Sequence, residues 1–467
     1  MVLDNNYIIQ NFESEILREY DIRGIVGKNL TENTAYTIGR TFGYCVKSSS
    51  LPDSIVVGFD GRLSSSTLHD ALAEGLKQAG INVTSVGMGP TPMVYFAHYF
   101  YKSSAAVMVT GSHNPSEYNG FKMVYNNNPF YSNQIQKLQN IVKSNQLIIE
   151  KGTIEEKNII NDYINRILQN IKINKKLKIA WDTSNGAMGK IIKEITAKLS
   201  NTENIVINEK IDGTFPNHHP DPTVPKNMEQ LINTVIKNKC DIGLAFDGDG
   251  DRLGVVDNKG KIVWADQYLL ILCKEISKIY NYPKVIVDVK CSKVFFEEAK
   301  KMKCNPIMYR TGHSPIKEKM KELNSPLSGE MSGHVCYADD FFGYDDAMYV
   351  ALRLLRIIGN EKKTIHDLIS EYPKTYTTPE IRIDVDEIKK FSIIKEIKER
   401  LKNEDEVIDI DGIRIQNSKG WFLIRASNTQ NQITCRAEAL SKNNLNYLIK
   451  VIEEQLSLSG VNYQFTF

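Results

Sequence analysis

One unit recurs along this chain and constrains its fold: a short apolar run, then a polar or glycine-rich loop, then an amphipathic helix. Residues 54–59 form such a run and lead into Asp60-Gly61-Arg62, after which apolar residues recur at helical spacing across residues 68–79. Alternation of this kind is typical of βαβ units and predicts a largely parallel sheet. Sheets of this type bind ligands in loops at the carboxyl ends of their strands.

The same layout returns in two further sections of the chain. Strand-like runs that end in polar loops occupy residues 105–109, 177–181, 241–246, 285–287 and 325–328. We therefore predict three similar α/β domains with mainly parallel mixed sheets, over residues 1–157, 158–261 and 262–374. A chain of 467 residues is too long for a single core, which agrees with this division.

The last section, residues 375–467, has a different pattern. Residues 392–401 and 445–456 have the spacing of helices, whereas residues 421–426 and 433–437 resemble strands joined by a short turn. This pattern predicts a C-terminal α+β domain with antiparallel strands. We expect the four domains to surround a central active-site cleft.

Composition and charge restrict the class of protein. Apolar residues make up 42% and charged residues 24%, which is ordinary for a soluble folded protein. Because 58 basic and 56 acidic residues leave a net charge of +2, we expect no polycationic surface and no nucleic acid partner. The longest apolar runs, such as residues 268–273, are far shorter than the roughly 20 residues of a membrane span, so we expect no membrane role.

The sequence also predicts the compartment. Seven cysteines are an odd number without a C-x-x-C pair, and they predict reduced thiols. The first twenty residues include four acidic side chains and no uninterrupted apolar stretch, so we expect no secretory signal. Both features predict a cytoplasmic protein, and the choice between a monomer and a homodimer stays open.

The loop after residues 105–109 carries a candidate nucleophile. Residues 110–115 read Thr-Gly-Ser-His-Asn-Pro, in which Gly111 permits close backbone approach and the turn amides can cradle an anion. Ser112 is therefore a candidate for carrying a transferred group. The same residue types also favour ordinary turns, so a turn without chemistry is the alternative.

A second loop concentrates negative charge. Three aspartates alternate there with glycines, at Asp247, Asp249 and Asp251. Oxygen ligands in such a cluster favour Mg²⁺ or Ca²⁺. An EF-hand is excluded because its sixth position would be Gly and is Arg252, and its twelfth would be Glu and is Asn258. The alternative is a haloacid dehalogenase type site, with Asp247 as the nucleophile and no role for Ser112.

Two further loops have the chemistry to bind a sugar phosphate. A guanidinium fork with hydroxyl and amide donors suits a phosphate dianion. Such donors surround the turn between the last two predicted strands, at Arg425, Ser427, Asn428, Thr429 and Arg436. Glu330 and Ser332, in a glycine-bounded loop, suit sugar hydroxyls. Neither loop is specific alone, and no zinc, nucleoside triphosphate or dinucleotide motif is present.

Taken together in this order, the loops resemble the α-D-phosphohexomutase superfamily, in its phosphomannomutase/phosphoglucomutase branch. The resemblance runs from about residue 18 to residue 438. It rests on seven segments, residues 18–24, 110–115, 118–122, 247–252, 311–314, 329–334 and 425–429. Any one segment could occur by chance, but the ordered set makes chance a poor explanation. One departure is Asn431, where the family often has proline, and it removes no donor.

The resemblance implies a role for each candidate residue. Ser112 is similar to the phosphoserine of the resting enzyme, whose oxygen would complete a Mg²⁺ site with Asp247, Asp249 and Asp251. The residues expected around the reacting phosphate and sugar are Tyr20, Arg23, Lys122, Arg252, Lys290, His313 and His334, and His113 joins the catalytic set beside the serine. Lys122, Lys290 and His313 are the expected proton-transfer groups, in an order left open. The sugar-hydroxyl pair would be Glu330 and Ser332, and the distal phosphate clamp would be Arg425, Ser427, Asn428 and Thr429.

The implied activity is that of a phosphohexomutase, which interconverts hexose 1-phosphate and hexose 6-phosphate of mannose and/or glucose. Phospho-Ser112 would pass through a bound glucose or mannose 1,6-bisphosphate, which would also act as activator. Met331 favours mannose with glucose accepted, through resemblance only. The alternatives are a haloacid dehalogenase-like sugar phosphatase, a catalytically silent sugar-phosphate-binding protein, and a phosphoglucosamine mutase, whose serine loop would read Ser-Ala-Ser-His.

Overall fold

The computed structural model describes residues 7–144, 147, 150–386, 388–404, 406–428 and 430–465. Its strands form four sheets that follow one another along the chain. The first three sheets combine parallel and antiparallel neighbours, and the fourth is antiparallel. The predicted fold class, three similar α/β units followed by an α+β unit, is confirmed.

The first unit contains a seven-stranded sheet. Its strands are β1 (Ile22–Ile25), β2 (Ser54–Phe59), β3 (Asn82–Met88), β4 (Ala105–Val109), β5 (Tyr118–Tyr125), β6 (Asn128–Pro129) and β7 (Ile154–Glu156). Its helices are α1 (Glu32–Lys47), α2 (Ser65–Lys77), α3 (Thr91–Tyr101) and α4 (Asn133–Lys143). The spatial order is β1-β5-β4-β2-β3-β7, with β6 beside β5 and with β4, β2, β3 and β7 parallel.

The second unit has five strands in the order β12-β11-β10-β8-β9. They are β8 (Leu177–Asp182), β9 (Thr202–Ile207), β10 (Ile242–Phe246), β11 (Leu253–Asp257) and β12 (Ile262–Val263). The helices are α5 (Ile160–Leu168), α6 (Ile192–Lys198) and α7 (Glu229–Asn238). Parallel pairing of β8 with β9 and β10 gives way to an antiparallel β10–β11 hairpin.

The third unit has four strands in the order β14-β13-β15-β16. They are β13 (Lys284–Asp288), β14 (Asn305–Tyr309), β15 (Leu327–Gly329) and β16 (Val335–Tyr337). Five helices accompany them, α8 (Ala265–Ile279), α9 (Lys293–Lys301), α10 (His313–Leu323), α11 (Ala347–Asn360) and α12 (Ile365–Ser370). In this sheet β16, the last strand, is antiparallel to its neighbour, and the other pairs are parallel.

The fourth unit is an antiparallel sheet in the order β17-β22-β21-β20-β19, with β18 also pairing with β22. Its strands are β17 (Tyr376–Thr377), β18 (Ile381–Asp384), β19 (Glu406–Ile408), β20 (Ile413–Asn417), β21 (Gly420–Ala426) and β22 (Gln432–Ala439). Two helices, α13 (Lys389–Leu401) and α14 (Lys442–Leu458), cover it. Short 3-10 helices elsewhere in the chain are Ser14–Ile16, Ala187–Lys190 and Pro225–Met228.

One hydrophobic cluster contains side chains of all three of the first units, and the first unit also has a second core of its own. Helix α3 is apolar on most of its surface, which is typical of a helix buried on all sides. Its Phe96 packs on Tyr163 of the second unit and near Phe342 of the third, with ring centroids 5.8 and 6.1 Å apart. Trp181 and Tyr268 are fully buried in the same cluster. The loops of these three units are therefore held in fixed relation to one another.

The fourth unit has a core of its own, formed by side chains of its sheet and its two helices. A small apolar contact joins it to the third unit, made by Val289, Trp421 and Leu423. None of the described helices is both long and apolar enough to span a membrane. The seven cysteines, all in described segments, form no disulfide bond.

Candidate active site

The four candidate loops occupy equivalent places in their sheets. The Ser112 loop joins β4 to β5, the aspartate loop joins β10 to β11, the Glu330 loop joins β15 to β16, and the Arg425 loop leads from β21 to β22. Each loop connects two antiparallel neighbours. In the first three units the strand before the loop also has a parallel neighbour on its other side. The shared layout of the loops in the sequence therefore reflects one topology used three times.

The serine loop presents a buried hydroxyl group. Ser112 is 1% exposed and has a left-handed backbone with φ of 48°. Its amide donates a hydrogen bond of 2.8 Å to Thr110 Oγ1, which fixes the turn. Its Oγ donates to Asp247 Oδ2 at 2.8 Å and lies 3.1 Å from His113 Nδ1. The proposed nucleophile of the first unit thus touches the carboxylate cluster of the second.

Arg62 organises the serine loop, and the sequence reasoning did not identify it. Its guanidinium donates hydrogen bonds of 2.6 to 2.9 Å to four loop carbonyl groups, those of Ser112, Asn114, Pro115 and Tyr118. A Cβ atom on Gly111 would lie 2.6 Å from this guanidinium, so glycine is required by close approach. Arg62 lies in the loop after β2, which pairs in parallel with β4. Its place at the carboxyl end of a strand next to the serine loop is the sequence feature that could have identified it as a candidate.

The aspartate loop is shaped by hydrogen bonds to one carboxylate oxygen. Asp247 Oδ1 accepts hydrogen bonds of 3.0 to 3.1 Å from three backbone amides, those of Gly250, Asp251 and Arg252. A Cβ atom on Gly248 would lie 2.4 Å from the carbonyl oxygen of Ser112. The two loops therefore pack backbone against backbone. This packing explains why glycine stands between Asp247 and Asp249, and how the second oxygen of Asp247 reaches the serine.

Lys122 links the other two aspartates. Its Nζ donates a hydrogen bond of 2.6 Å to Asp249 Oδ2 and another to Asp251 Oδ2, and all three side chains are buried. Burial opposes the charge of Asp249, but the Lys122 charge and hydrogen bond lower the pKa of Asp249 below its usual range. Burial also opposes the charge of Lys122, but the two carboxylates raise the pKa of the lysine well above its usual range. We therefore expect Lys122 to be a cation.

The aspartate cluster fits a divalent cation. Burial, followed by the charges of Asp249 and Asp251, raises the pKa of Asp247 well above its usual range. The Oδ1 atoms of Asp249 and Asp251 are buried and have no hydrogen-bond partner among the described residues. One oxygen from each of the three aspartates lies within 4.8 Å of the others. Buried carboxylate oxygens without donors are the ligands that a hard cation such as Mg²⁺ or Ca²⁺ takes.

Two histidines stack near this cluster. The rings of His313 and His334 are 5.1 Å apart between centroids and 22° from parallel. Arg252 Nε donates to His334 Nε2 at 2.9 Å, which assigns the ring proton to Nδ1. That Nδ1 lies 2.9 Å from Asp345 Oδ2, and the same oxygen is 3.7 Å from His313 Nδ1. Lys317 Nζ donates to the other oxygen of Asp345 at 2.9 Å.

Two of the predicted histidines are held neutral. Burial and then the charge of Lys317 lower the pKa of His313 well below its usual range, although Asp345 opposes the shift. Burial and then the charges of Arg252 and Arg23 lower the pKa of His113 in the same way. A neutral imidazole has one nitrogen without a proton, and the lowered pKa makes each ring a weaker base than an ordinary histidine.

Residues at the start of β1 connect three units. Tyr20 OH donates to the carbonyl oxygen of Thr311 at 2.7 Å and accepts from Asn428 Nδ2 at 3.0 Å. Burial raises the pKa of Tyr20, so its hydroxyl stays protonated. Arg23 Nη1 donates to Asn114 Oδ1 of the serine loop at 2.7 Å. The first unit therefore contacts the third and the fourth at the same place where its arginine reaches the serine loop.

The Glu330 loop buries a carboxylate beside the segment that precedes α10. Glu330 Oε2 accepts from the amide of Gly312 at 3.2 Å and is 3.5 Å from Ser332 Oγ. Glu330 Oε1 is buried without a hydrogen-bond partner among the described residues. Burial raises the pKa of Glu330. A ligand hydroxyl group is a donor that would satisfy this oxygen.

The Arg425 loop is tied to the third unit through Asp411. Arg425 Nε donates to Asp411 Oδ2 at 3.0 Å, and the same oxygen accepts from the amide of Thr311 at 3.0 Å. Ser427, two residues further along the chain, is buried. Thr429 lies outside the described residues. Asp411 had no motif to mark it, because it lies in the loop between β19 and β20.

Lys290 pairs with carboxylates other than the aspartates that bind Lys122. Its Nζ donates to Glu380 Oε2 at 2.9 Å and is 3.7 Å from Asp288 Oδ2. Burial opposes its charge, but these two carboxylates raise the pKa of Lys290 above its usual range. Arg436 donates to the carbonyl oxygen of Lys290, so it supports this lysine from β22.

Four family models match the chain in order. They describe the alpha/beta/alpha domains I, II and III and the C-terminal domain of phosphoglucomutase/phosphomannomutase, at residues 14–148, 161–260, 264–376 and 380–455. The phosphomannomutase/phosphoglucomutase of Pseudomonas putida is 42% identical over 94% of this chain and 95% of its own length. The phosphoglucomutase of Neisseria meningitidis serogroup A is 38% identical over 92% of this chain and 94% of its own length.

A solved structure agrees with the sequence comparisons. The phosphoglucomutase/phosphomannomutase family protein of Burkholderia thailandensis has a TM-score of 0.91 and 36% identity, and the match covers 98% of this chain and 100% of that chain. The chain is therefore a phosphohexomutase, an intramolecular phosphotransferase. It belongs to the phosphoglucomutase/phosphomannomutase family, and neither a phosphatase nor a silent binding protein is favoured.

Proposed function

We propose that Ser112 carries the phosphoryl group that this mutase exchanges between the two ends of a hexose phosphate. The observation that carries the proposal is the 2.8 Å hydrogen bond from its buried hydroxyl to Asp247. Phospho-Ser112 donates to a hexose 1-phosphate and gives a bound 1,6-bisphosphate. The intermediate turns over, its other phosphate returns to Ser112, and hexose 6-phosphate leaves.

We attribute most of the rate enhancement to positive charge around Ser112. Phosphate monoesters react very slowly without a catalyst, and transfer needs in-line positioning and charge neutralisation more than a strong nucleophile. We assign Arg23 and Arg252 to the oxygens of the moving phosphoryl group. The proposed ion is Mg²⁺, which would supply further positive charge there, held by phospho-Ser112, Asp247, Asp249 and Asp251.

Proton transfer is assigned from the charge states of the candidates. His313 is a neutral base that can accept the proton of the attacking sugar hydroxyl, and His334 holds its stacked position. Lys122, held as a cation by its carboxylates, can stabilise the leaving oxygen or return a proton to it. His113, which lies 3.1 Å from Ser112 Oγ, positions that hydroxyl when it carries no phosphate. Lys290 serves the opposite end of the substrate, beside the clamp.

The substrate reorients between fixed groups. Glu330 and Ser332 bind hydroxyl groups that are present in both orientations. The clamp for the phosphate that is not reacting consists of Arg425, Ser427, Asn428 and Thr429. Tyr20, which bridges three units, forms part of the wall that closes over the ligand. Closure of the last unit excludes water that would hydrolyse the phosphoserine.

Both mannose and glucose phosphates are proposed as substrates, with glucose or mannose 1,6-bisphosphate as activator and intermediate. Met331 and the names of the relatives support both sugars. We propose a cytoplasmic monomer or homodimer that binds neither nucleic acid nor membranes. The proposed domains are residues 1–157, 158–261, 262–374 and 375–467, and each contributes one loop to the cleft.

A phosphatase with Asp247 as nucleophile has less support from the geometry. One oxygen of Asp247 accepts three amide hydrogen bonds and the other accepts the Ser112 hydroxyl. Such a carboxylate has little freedom to attack a phosphorus atom, whereas the serine hydroxyl is free to be exchanged for a phosphoryl ester.

A ³¹P NMR time course tests the proposed function. Purified protein receives Mg²⁺, a trace of glucose 1,6-bisphosphate and, in parallel, the 1-phosphates of mannose, glucose and glucosamine. We expect the mannose and glucose compounds to become 6-phosphates without accumulation of inorganic phosphate. Inorganic phosphate as the main product would return Asp247 to the role of nucleophile, and a preference for glucosamine would move the enzyme to the phosphoglucosamine branch.

Replacing Arg425 with alanine should raise KM more than it lowers kcat. Hydrogen bonds to a charged group contribute roughly 1.5 to 3 kcal/mol, so the loss corresponds to about a 10- to 150-fold weaker hold on the distal phosphate. Steady-state kinetics with glucose 1-phosphate measure the effect. Arg400, exposed on α13 of the same unit, is the matched control, and R400A should leave KM unchanged. An unchanged KM in R425A would remove Arg425 from the clamp.

A further inference from the structure

A fully buried carboxylate, Asp345, lies beside the two stacked histidines and belongs to none of the four candidate loops. Its backbone pairs with that of Cys336 in β16. The next residue, Asp346, caps α11, because its Oδ1 accepts a 2.9 Å hydrogen bond from the amide of Tyr349. A strand on one side and a helix start on the other therefore fix the position of Asp345.

The two oxygens of Asp345 have different partners. Lys317 Nζ donates a 2.9 Å hydrogen bond to Oδ1. Oδ2 lies 2.9 Å from His334 Nδ1 and 3.7 Å from His313 Nδ1. Burial opposes the charge of Asp345, but the charge of Lys317 lowers the pKa of this carboxyl well below its usual range. The oxygen that faces the histidines is therefore negatively charged.

Lys317 is the cation that keeps Asp345 ionised. It is only 9% exposed, and its Nζ lies 5.0 Å from the centre of the Tyr95 ring. Burial opposes the charge of this lysine, but Asp345 raises the pKa of Lys317 above its usual range. Two buried charges of this kind are stable only as a pair, because removal of one leaves the other uncompensated.

The other neighbour of His334 decides where its ring proton lies. Arg252 Nε can only donate, and it donates to His334 Nε2 at 2.9 Å, so the neutral ring carries its proton on Nδ1. Asp345 Oδ2 is 2.9 Å from Nδ1, and Asp251 Oδ1 is further away, at 3.6 Å. Negative charge beside Nδ1 favours this tautomer. The other tautomer would set two donors, His334 Nε2–H and Arg252 Nε–H, against each other.

This protonation state argues against a second metal centre at the same place. Asp251, His334 and Asp345 offer ligand atoms that lie within 4.8 Å of one another. A histidine binds a metal ion through a nitrogen that carries no proton. Because Arg252 donates to Nε2, the nitrogen that faces the two carboxylates keeps its proton. The cluster is therefore better suited to orienting the ring than to binding an ion.

We propose that Asp345, paired with Lys317, is a positioning residue that keeps His334 in its Nδ1–H tautomer and so keeps Nε2 as the acceptor for Arg252. That bond engages Nε alone and does not occupy the terminal nitrogens of Arg252, whose N–H groups suit phosphoryl oxygens. The step from Arg252 to turnover rests on the proposed function, whereas the effect of Asp345 on His334 does not.

NMR of ¹⁵N-histidine-labelled protein at about pH 8.5, where ordinary histidines are neutral, tests the hold on His334. We expect a protonated nitrogen at Nδ1 and an unprotonated one at Nε2, with the resonances assigned from an H334N variant. In Asp345→Asn the new amide must turn its NH2 group away from the Lys317 ammonium and toward His334, so the tautomer should change to Nε2–H. Asp340→Asn, an exposed aspartate in the same segment, is the matched control and should leave the tautomer unchanged.

A double variant separates positioning from a general loss of packing. Lys317→Met in the D345N background removes the ammonium, so the amide can turn its oxygen toward His334 again and should restore the Nδ1–H tautomer. Circular dichroism checks the folding of each variant. A proton on Nε2 in the unmodified protein, an unchanged tautomer in folded D345N, or a folded D345N/K317M that keeps the D345N tautomer would each overturn the proposal.

Turnover provides the second readout. D345N should lower kcat by about 10- to 100-fold and change KM by less than about threefold, because the wrong tautomer misdirects a group that acts in the transition state. D345N/K317M should recover most of this loss, and D340N should show none. A normal kcat in a D345N protein with the changed tautomer would overturn the step from His334 to Arg252. Absence of mutase activity in the unmodified protein would count against the proposed function alone, because the NMR outcomes require no turnover.

Discussion

Replacing Ser112 with alanine is expected to abolish mutase turnover, with kcat at least about 10³-fold below that of the unmodified enzyme. The reason is that no oxygen remains to receive the phosphoryl group, while the charges and clamps that bind the substrate stay in place. A coupled assay of hexose 6-phosphate formation measures the rate. Mass spectrometry after incubation with glucose 1,6-bisphosphate should find one phosphoryl group on the peptide that contains Ser112, and none on this peptide in S112A.

Ser116 provides the matched control for this prediction. It lies in the same loop, is exposed to solvent, and receives the same serine-to-alanine change. S116A should retain turnover and labelling at Ser112. A near-normal rate in S112A would remove Ser112 from its role. Loss of activity in both variants would indicate a damaged loop, which the circular dichroism spectra of the two variants would reveal.

Much of the fold could be predicted because its signals are local. An apolar run of three to six residues before a polar loop predicts a buried strand, and such runs identified β2, β4, β8, β10 and β13. The antiparallel partner that follows each active-site loop was harder to see. β16 is only three residues long, and β11 follows the aspartate loop with little warning. Short strands of this kind are fixed by their sheet neighbours more than by their own residues.

Candidate site residues could be predicted where one loop carries several polar side chains that the structure brings together. Ser112, the three aspartates and the Arg425 turn are of this kind. Arg62, Asp345 and Asp411 were missed because each acts on a loop distant in sequence. Asp411 contacts Thr311 across 100 residues, and Arg62 contacts Ser112 across 50. A single sequence offers no local pattern for such contacts, which only the packing of the units creates.

The charge states of the site residues could not be predicted from the sequence either. Lys122 and Asp249 are 127 residues apart, yet each decides the ionisation of the other. His313 stands at the first turn of α10 beside a lysine of the same helix, and burial with this charge keeps it neutral. The sequence could name Lys122, Lys290 and His313 as proton-transfer candidates. Only their partners in the structure separate the neutral base from the two cations.

Removing the divalent cation is the second change from which we expect a near-complete loss of turnover. Chelation with EDTA should stop the reaction, and added Mg²⁺ should restore it, because Asp247, Asp249 and Asp251 crowd three carboxylates into one buried site. Asp249→Asn removes one of the proposed ligands. We expect this change to raise the Mg²⁺ concentration required for half-maximal activity by about 10- to 100-fold. Asp70→Asn, on the exposed face of α2, should leave the Mg²⁺ requirement unchanged.

The pH dependence of this requirement separates binding at the cluster from a general salt effect. The raised pKa of Asp247 means that protons compete with the cation for that carboxylate. Falling pH should therefore increase the Mg²⁺ concentration needed for activity, and rising pH should lower it until Asp247 is ionised. In D249N the negative charge at position 249 no longer raises the pKa of Asp247. The pH range over which the Mg²⁺ requirement changes should therefore lie lower in this variant than in the unmodified enzyme. A Mg²⁺ requirement that is independent of pH in both proteins, or full activity in EDTA, would contradict a cation held by these three aspartates.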